Sequence, residues 1–160
     1  MNQILHTSSR HDYLSVSQLL AGLNDREMRK VDGLTTTVRC ERGAFVFSPE
    51  DSPGTVYLLR EGVVRLYRRT AGGEQTVARL EPGTVFGDCS LIGQLQAGVY
   101  ADVVEAGLVQ VLPASCLRTL ILLCPRIGLN LLEHVGQRLT RTQRVAQDAA
   151  LSTSRQGRAA

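Results

Sequence analysis

From Tyr13 to Leu34, apolar side chains recur at helical spacing: Leu14, Val16, Leu19, Leu20 and Leu23, then Met28 and Val31. That period predicts helix. Ser15 or Ser17 offers an N-cap, Gly33 an end, and Asn24-Asp25 an interruption that divides the stretch into two short helices. From Thr35 to about Pro113 the texture changes to short β-branched and aromatic runs: Thr35–Cys40, Ala44–Phe47, Thr55–Leu59, Val63–Arg68, Gln75–Leu80, Val99–Val104 and Leu108–Leu112. Turn-formers such as Glu41-Arg42-Gly43, Glu61-Gly62, Gly72-Gly73 and Glu81-Pro82-Gly83 separate them. Several runs alternate, with Val64 and Leu66 on one side and Arg65 and Tyr67 on the other. Strands spaced at roughly 8–12 residues predict an antiparallel sandwich or barrel.

After Pro113 the period returns to 3.6. A short helix runs to Leu123, and Pro125 opens a long one expected to reach about Ala150. Leu132, Val135, Leu139, Thr142, Ala146 and Ala149 repeat on it at alternating steps of 3 and 4, the seam of a coiled coil. Such a seam either pairs with its twin in a parallel homodimer or packs back on its own β domain. Thr142 and the two alanines keep it weak. The fold class is therefore α+β: an antiparallel β-roll of jelly-roll type, with short N-terminal helices and a long C-terminal helix.

With 160 residues, 43% of them apolar, the chain is long enough for one buried core. No run approaches the roughly 20 apolar residues of a membrane span, and the first residues carry no secretory signal; a cytoplasmic location is expected, with no membrane partner. The net charge of +3 sits entirely in residues 131–160, where five arginines (138, 141, 144, 155 and 158) face only Glu133 and Asp148. Such a stretch suits either a phosphate-bearing partner or a solvated helix face. Cysteines 40, 89, 116 and 124 match no zinc spacing, so reduced thiols and no metal are expected. Nucleophilic catalysis would need a histidine beside Cys or Ser. His6, His11 and His134 all lie outside the strands, and Asp88 with Asp102 reads better as turn or strand-end residues than as an acid–base pair. No catalytic residue is assigned.

One segment carries the signal of a site: Glu81-Pro82-Gly83-Thr84-Val85-Phe86-Gly87-Asp88-Cys89-Ser90-Leu91-Ile92, a strand ending at glycine before a short helical turn. Free N–H groups at such a turn suit an anion. Its surroundings make it specific. Leu20-Ala21-Gly22-Leu23, Glu41-Arg42-Gly43, Phe47-Ser48-Pro49-Glu50-Asp51, Tyr57 through Tyr67 with its central Arg60-Glu61-Gly62, Gly73-Glu74-Gln75-Thr76 and Leu80 through Asp88 follow in a familiar order. The chain resembles the effector-sensing half of the cyclic AMP receptor protein and fumarate-nitrate regulator superfamily over about residues 14 to 158.

That resemblance implies a disordered tail (1–12), a cyclic-nucleotide-binding-like β-roll (13–124), a dimerisation helix (125–151) and, over 152–160, the start of the hinge to a DNA-binding domain. It implies DNA and RNA polymerase as partners only through a C-terminal domain beyond this sequence, which is either a truncated piece of a longer regulator or a stand-alone module. The pocket-equivalent residues are Phe86, Gly87, Asp88, Cys89, Ser90, Val99, Tyr100 and Ala101, with Thr142 on the long helix. The family pattern is Phe-Gly-Glu followed by Arg-Ser-Ala or Arg-Thr-Ala, the glutamate meeting the ribose hydroxyl and the arginine the cyclic phosphate. Here Asp88 stands in the glutamate's place and Val99-Tyr100-Ala101 in the arginine triplet's. Val99 cannot make the bidentate, charge-assisted bonds of an arginine, and Tyr100 is expected to fill space the ligand needs. Cyclic nucleotide is therefore disfavoured and no cofactor is expected. Cysteines for an iron–sulfur cluster are missing before Cys40, and His134 beside the seam reads as packed or solvated rather than as a haem ligand. An effector of another kind, no effector, or a purely structural oligomerisation module with a vestigial pocket remain the readings.

Overall fold

The computed structural model describes residues 13–51, 54–87, 92 and 98–158. Two short helices come first, each opened by a reciprocal capping box. In α1 (Val16–Leu19) the Ser15 hydroxyl accepts from the Gln18 N–H at 3.0 Å while the Ser15 N–H donates to the Gln18 side chain. In α2 (Asp25–Leu34) Asn24 and Glu27 do the same at 2.9 and 3.0 Å. Asn24 thus starts the second helix where the sequence predicted a break. Gly33 does not end it, because the chain stays helical to Leu34 and turns extended only at Thr35.

Eight strands follow: β1 Thr36–Cys40, β2 Phe45–Phe47, β3 Thr55–Leu59, β4 Val63–Thr70, β5 Gly73–Leu80, β6 Val85–Gly87, β7 Tyr100–Glu105 and β8 Gly107–Pro113. They form two antiparallel sheets, ordered β1-β8-β3-β6 and β2-β7-β4-β5. Seven of these were expected. The eighth, β6, is three residues long and pairs with β3, so it is invisible to a search for periodic runs. Its free side is covered by the backbone of Leu14–Val16, through Val16 N–H to Gly83 O at 2.8 Å and Val85 N–H to Leu14 O at 2.7 Å.

The sheets face each other across one apolar cluster, and helices cover the far side of the first sheet with another. Phe47, Leu59, Val64, Leu66, Ala78, Leu80, Phe86, Val99, Ala101 and Val109 fill the space between the sheets. Val56, Leu58, Val85 and Leu112 turn the other way and meet Leu14, Leu19, Val31, Leu117, Leu120, Ile127 and Leu131 of the helices. Strand β3 is buried on both faces, which is why Thr55–Leu59 reads as a nearly continuous apolar run. Gly62 is fixed by crowding: with φ +85° it passes so close to the Glu105 carbonyl that a Cβ could not fit.

Helix α3 (Ala114–Leu123) meets α4 (Pro125–Arg158) at a 114° bend centred on Cys124. Pro125 has no N–H to continue α3 and is pre-set for the first turn of α4. At 34 residues, α4 is about 51 Å long. The helix was expected to reach about Ala150 and runs on to Arg158. Ser152, Thr153 and Ser154 return their hydroxyls to the carbonyls of Asp148, Ala149 and Ala150 and stay within the same helix. Among the described residues no single helix is long and apolar enough to cross a membrane.

Candidate functional site

Strand β7 sorts the residues of the candidate pocket by side. Val99 and Ala101 point into the space between the sheets, 2% and 0% exposed. Tyr100, between them, turns to the outer face of the second sheet and stacks on Tyr67 with ring centroids 5.3 Å apart. Tyr100 therefore does not fill the space between the sheets, contrary to the expectation from the sequence. Alternation along a strand puts neighbours on opposite faces, and Tyr100 sits opposite Tyr67 in the β4–β7 register.

The outer face is a small charged and aromatic assembly. Arg65 reaches across to Asp102 through Nε at 3.0 Å and Nη2 at 2.6 Å, and Nη2 also pairs with Glu74 at 3.0 Å. These carboxylates hold the Arg65 guanidinium above its already high ordinary pKa. The guanidinium also lies 4.2 Å above Tyr67, and that of Arg69 lies 4.3 Å above Tyr100. Asp102 is thus committed to Arg65, which removes it as half of an acid–base pair; its sequence partner Asp88 lies outside the described residues. Arg79, a nearby arginine, pairs instead with Glu105 at 2.9 Å.

The inner face is different. Phe47, Tyr57 and Phe86 form an aromatic triple with centroids 5.4 to 6.2 Å apart. Phe47 and Tyr57 were not among the expected site residues. Their signal was strand parity, since Tyr57 and Leu59 alternate with Val56 and Leu58. Burial and the charge of Asp51 push the Tyr57 phenol upward, so it stays neutral. Gly87 passes from β6 toward the candidate turn with φ +137°, and a Cβ there would collide with the Thr55 carbonyl. Asp88, Cys89 and Ser90 lie outside the described residues, as does the expected tail 1–12. Among the described residues, the buried cluster between the sheets is apolar, and the half-buried Tyr57 packs against it. A phosphate placed there would meet no described cation, and burying a charge without a partner is heavily disfavoured.

On α4 the structure separates two faces. Ile127, Asn130, Leu131 and His134 are buried against the body of the molecule. The predicted seam lies about 100° around the helix: Leu132, Val135 and Leu139 are 68%, 36% and 58% exposed, and Thr142, Ala146 and Ala149 are exposed too. The seam does not pack back on its own β-roll, the second of the two arrangements left open by the sequence. Thr142 returns its hydroxyl to the Arg138 carbonyl at 3.0 Å and touches none of the described pocket residues through a hydrogen bond. The described cysteines 40, 116 and 124 are unpaired thiols.

A family model described as the cyclic nucleotide-binding domain matches residues 37–122, which run from β1 through most of α3. The chain belongs to the cyclic nucleotide-binding domain family. A probable transcriptional regulator, flp, of Lacticaseibacillus casei is 25% identical over 85% of the chain and 62% of its own length. The global nitrogen regulator of Synechococcus elongatus is 30% identical over 69% of the chain and 51% of its own length. Among solved structures, the catabolite activator protein of Thermus thermophilus superposes with a TM-score of 0.70 at 28% identity, covering 84% of this chain and 63% of that one. The N-terminal domain of a Streptomyces coelicolor transcriptional regulator shares the fold, with a TM-score of 0.66 at 24% identity over 81% and 91% of the two chains. These relatives are regulators of the superfamily that the sequence motifs resemble, and their names are not those of enzymes. The chain spans between half and two thirds of the lengths of the curated relatives named here.

Proposed function

We propose that this chain is the sensing and dimerisation module of a bacterial transcription regulator of the cyclic AMP receptor protein and fumarate-nitrate regulator type, working in the cytoplasm and not binding cyclic AMP in the family's usual way. The observation that carries the reading is the division of α4 into a docked face and a bare apolar face. Ile127 and Leu131 fix the first turns to the roll, while Leu132, Val135 and Leu139 lie exposed at coiled-coil spacing. A homodimer through that face would leave two rolls on the flanks and two parallel helices leading onward to whatever follows residue 158. A DNA-reading domain placed there would receive any shift in the helices, which is the coupling of two sites that regulation requires. DNA and RNA polymerase are reached only through such a domain.

The reading on cyclic AMP rests on Val99. The sequence resemblance puts it at the arginine position of the family's phosphate cassette, and its side chain is buried among apolar neighbours. The alternative, a structural oligomerisation module, shares the dimer and differs only in having no effector.

Light scattering tests the dimer directly. The native chain is expected at twice its monomer mass and Leu139→Glu at the monomer mass, because the substitution sets like charges opposite each other across the seam. Leu139 is 58% exposed in the single chain, so the substitution leaves the fold intact. A native monomer, or a dimer that Leu139→Glu does not weaken, overturns the assignment.

A further inference from the structure

A second place in the molecule is built for a ligand on different terms. Between α1 and the first half of α4 lies a cleft of about 210 Å³ lined by Gln18, Ala21, Asn130, Glu133, His134 and Gln137. His134 is only 4% exposed, and its Nε2 has no hydrogen-bond partner among the described residues. Buried polar atoms are nearly always paired, so an orphan beside a cleft calls for a missing partner. The neighbouring Asn130 shows what satisfaction looks like: its amide donates to Leu19 O at 2.9 Å and Ala21 O at 3.0 Å, fixing the end of α1 on α4. The latch joins α1 to α4 without involving His134.

The surrounding chemistry selects the ligand. Arg138 and Arg141 act on His134 and, with burial, lower its pKa, so the imidazole is neutral and an added cation is disfavoured. Glu133 on the rim opposes an anion. The remaining groups are mixed: the Asn130 amide has spent both hydrogens and leaves its oxygen as an acceptor, while the Gln18 oxygen is taken by Ser15 N–H, which leaves its NH2 as a donor. A hydroxyl both donates and accepts, and so satisfies His134 Nε2 in either tautomer.

We propose that the cleft between α1 and α4 is a binding site for a compact, uncharged, hydroxyl-bearing molecule, with His134 Nε2 at its floor and Gln18, Glu133 and Gln137 at its rim. The site is separate from the space between the sheets and needs no second copy of the chain, so it stands or falls apart from the function proposed above. An occupant bridges α1 and α4 and adds to the Asn130 latch.

Glycerol is the probe, titrated into the full chain with the His134 imidazole followed by nitrogen and proton NMR. His6 and His11 in the same chain report non-specific solvent effects. The expected result is a saturable shift confined to His134 and the side-chain amides of Gln18 and Gln137, with a Kd on the order of millimolar for so small a ligand. Acetate and ammonium at equal concentration are expected to give no saturable shift. Gln137→Leu, at an exposed rim position, is expected to weaken glycerol at least about threefold while leaving the fold unchanged, and His134→Leu to abolish the response. A linear shift shared with His6 and His11, which would mean that His134 is met by water alone, overturns the proposal. So does tighter binding of either ion, or glycerol binding that Gln137→Leu leaves unaltered.

Discussion

Between the two sheets the buried core of the described residues is apolar, with Phe47, Phe86, Leu66 and Val99 in one cluster, whereas the buried surface between α1 and α4 includes Asn130 and His134. The first region holds Phe86, Val99 and Ala101, which the sequence resemblance assigns to a nucleotide pocket, and the second lies outside the residues so assigned. Each fully buried apolar side chain between the sheets contributes roughly 1.5–3 kcal/mol to stability, and the aromatic contacts add about 0.5–1.5 kcal/mol per pair. That interior serves the fold. The joint between α1 and α4 also buries Leu19, Ile127 and Leu131 but keeps polar groups among them: the Asn130 NH2 is engaged and His134 Nε2 is not. The two regions thus differ in the balance of paired and unpaired polar atoms.

The comparison is broken most severely by Val99→Arg. If the space between the sheets is core, an arginine there is an uncompensated buried charge, expected to cost on the order of 3–5 kcal/mol in urea denaturation. A change of less than about 1 kcal/mol would mean that this interior accepts charge and is a site after all. A smaller loss, about 1–3 kcal/mol, is expected for Asn130→Ala, which strands the carbonyls of Leu19 and Ala21 at the joint. Hydrogen exchange should show that loss as faster opening of α1, with the amides of β3 and β8 unaffected. Equal effects on both regions would deny that the joint is a separate latch.

The smallest effect is one of pH. Burial first, then Arg138 and Arg141, lower the His134 pKa below its ordinary value near 6.5. As pH falls below about 6.5 the unfolded chain takes up the proton first, so stability declines until the folded-state pKa is passed and is then constant with respect to this group. His134→Leu is expected to remove that decline between pH 7.5 and 5. An identical pH slope in the variant would show that His134 is not held neutral by its surroundings.

Much of this was legible in the sequence. The strands of the roll were set by period-2 alternation and glycine turns, and the apolar face that α4 leaves exposed by its steps of 3 and 4. Strand β6 was not, because three residues carry no period, and its pairing with β3 is a long-range event. The unbroken end of α4 was missed because Ser152-Thr153-Ser154 reads as a boundary in sequence, while in the helix the three hydroxyls find carbonyls one turn back. The side taken by Tyr100 was not legible, because it required the β4–β7 register. The importance of His134 depended on α1 packing against α4, more than a hundred residues away in sequence, so no local pattern could mark it.

The central claim is that the space between the sheets is a packed core in which Val99 replaces the arginine that would hold a cyclic phosphate. Isothermal titration of the full chain with cyclic AMP and cyclic GMP tests it most directly. The account predicts no binding heat up to millimolar ligand for either nucleotide. Saturable binding at micromolar concentration would contradict it, because another group would then be doing the work of the missing arginine.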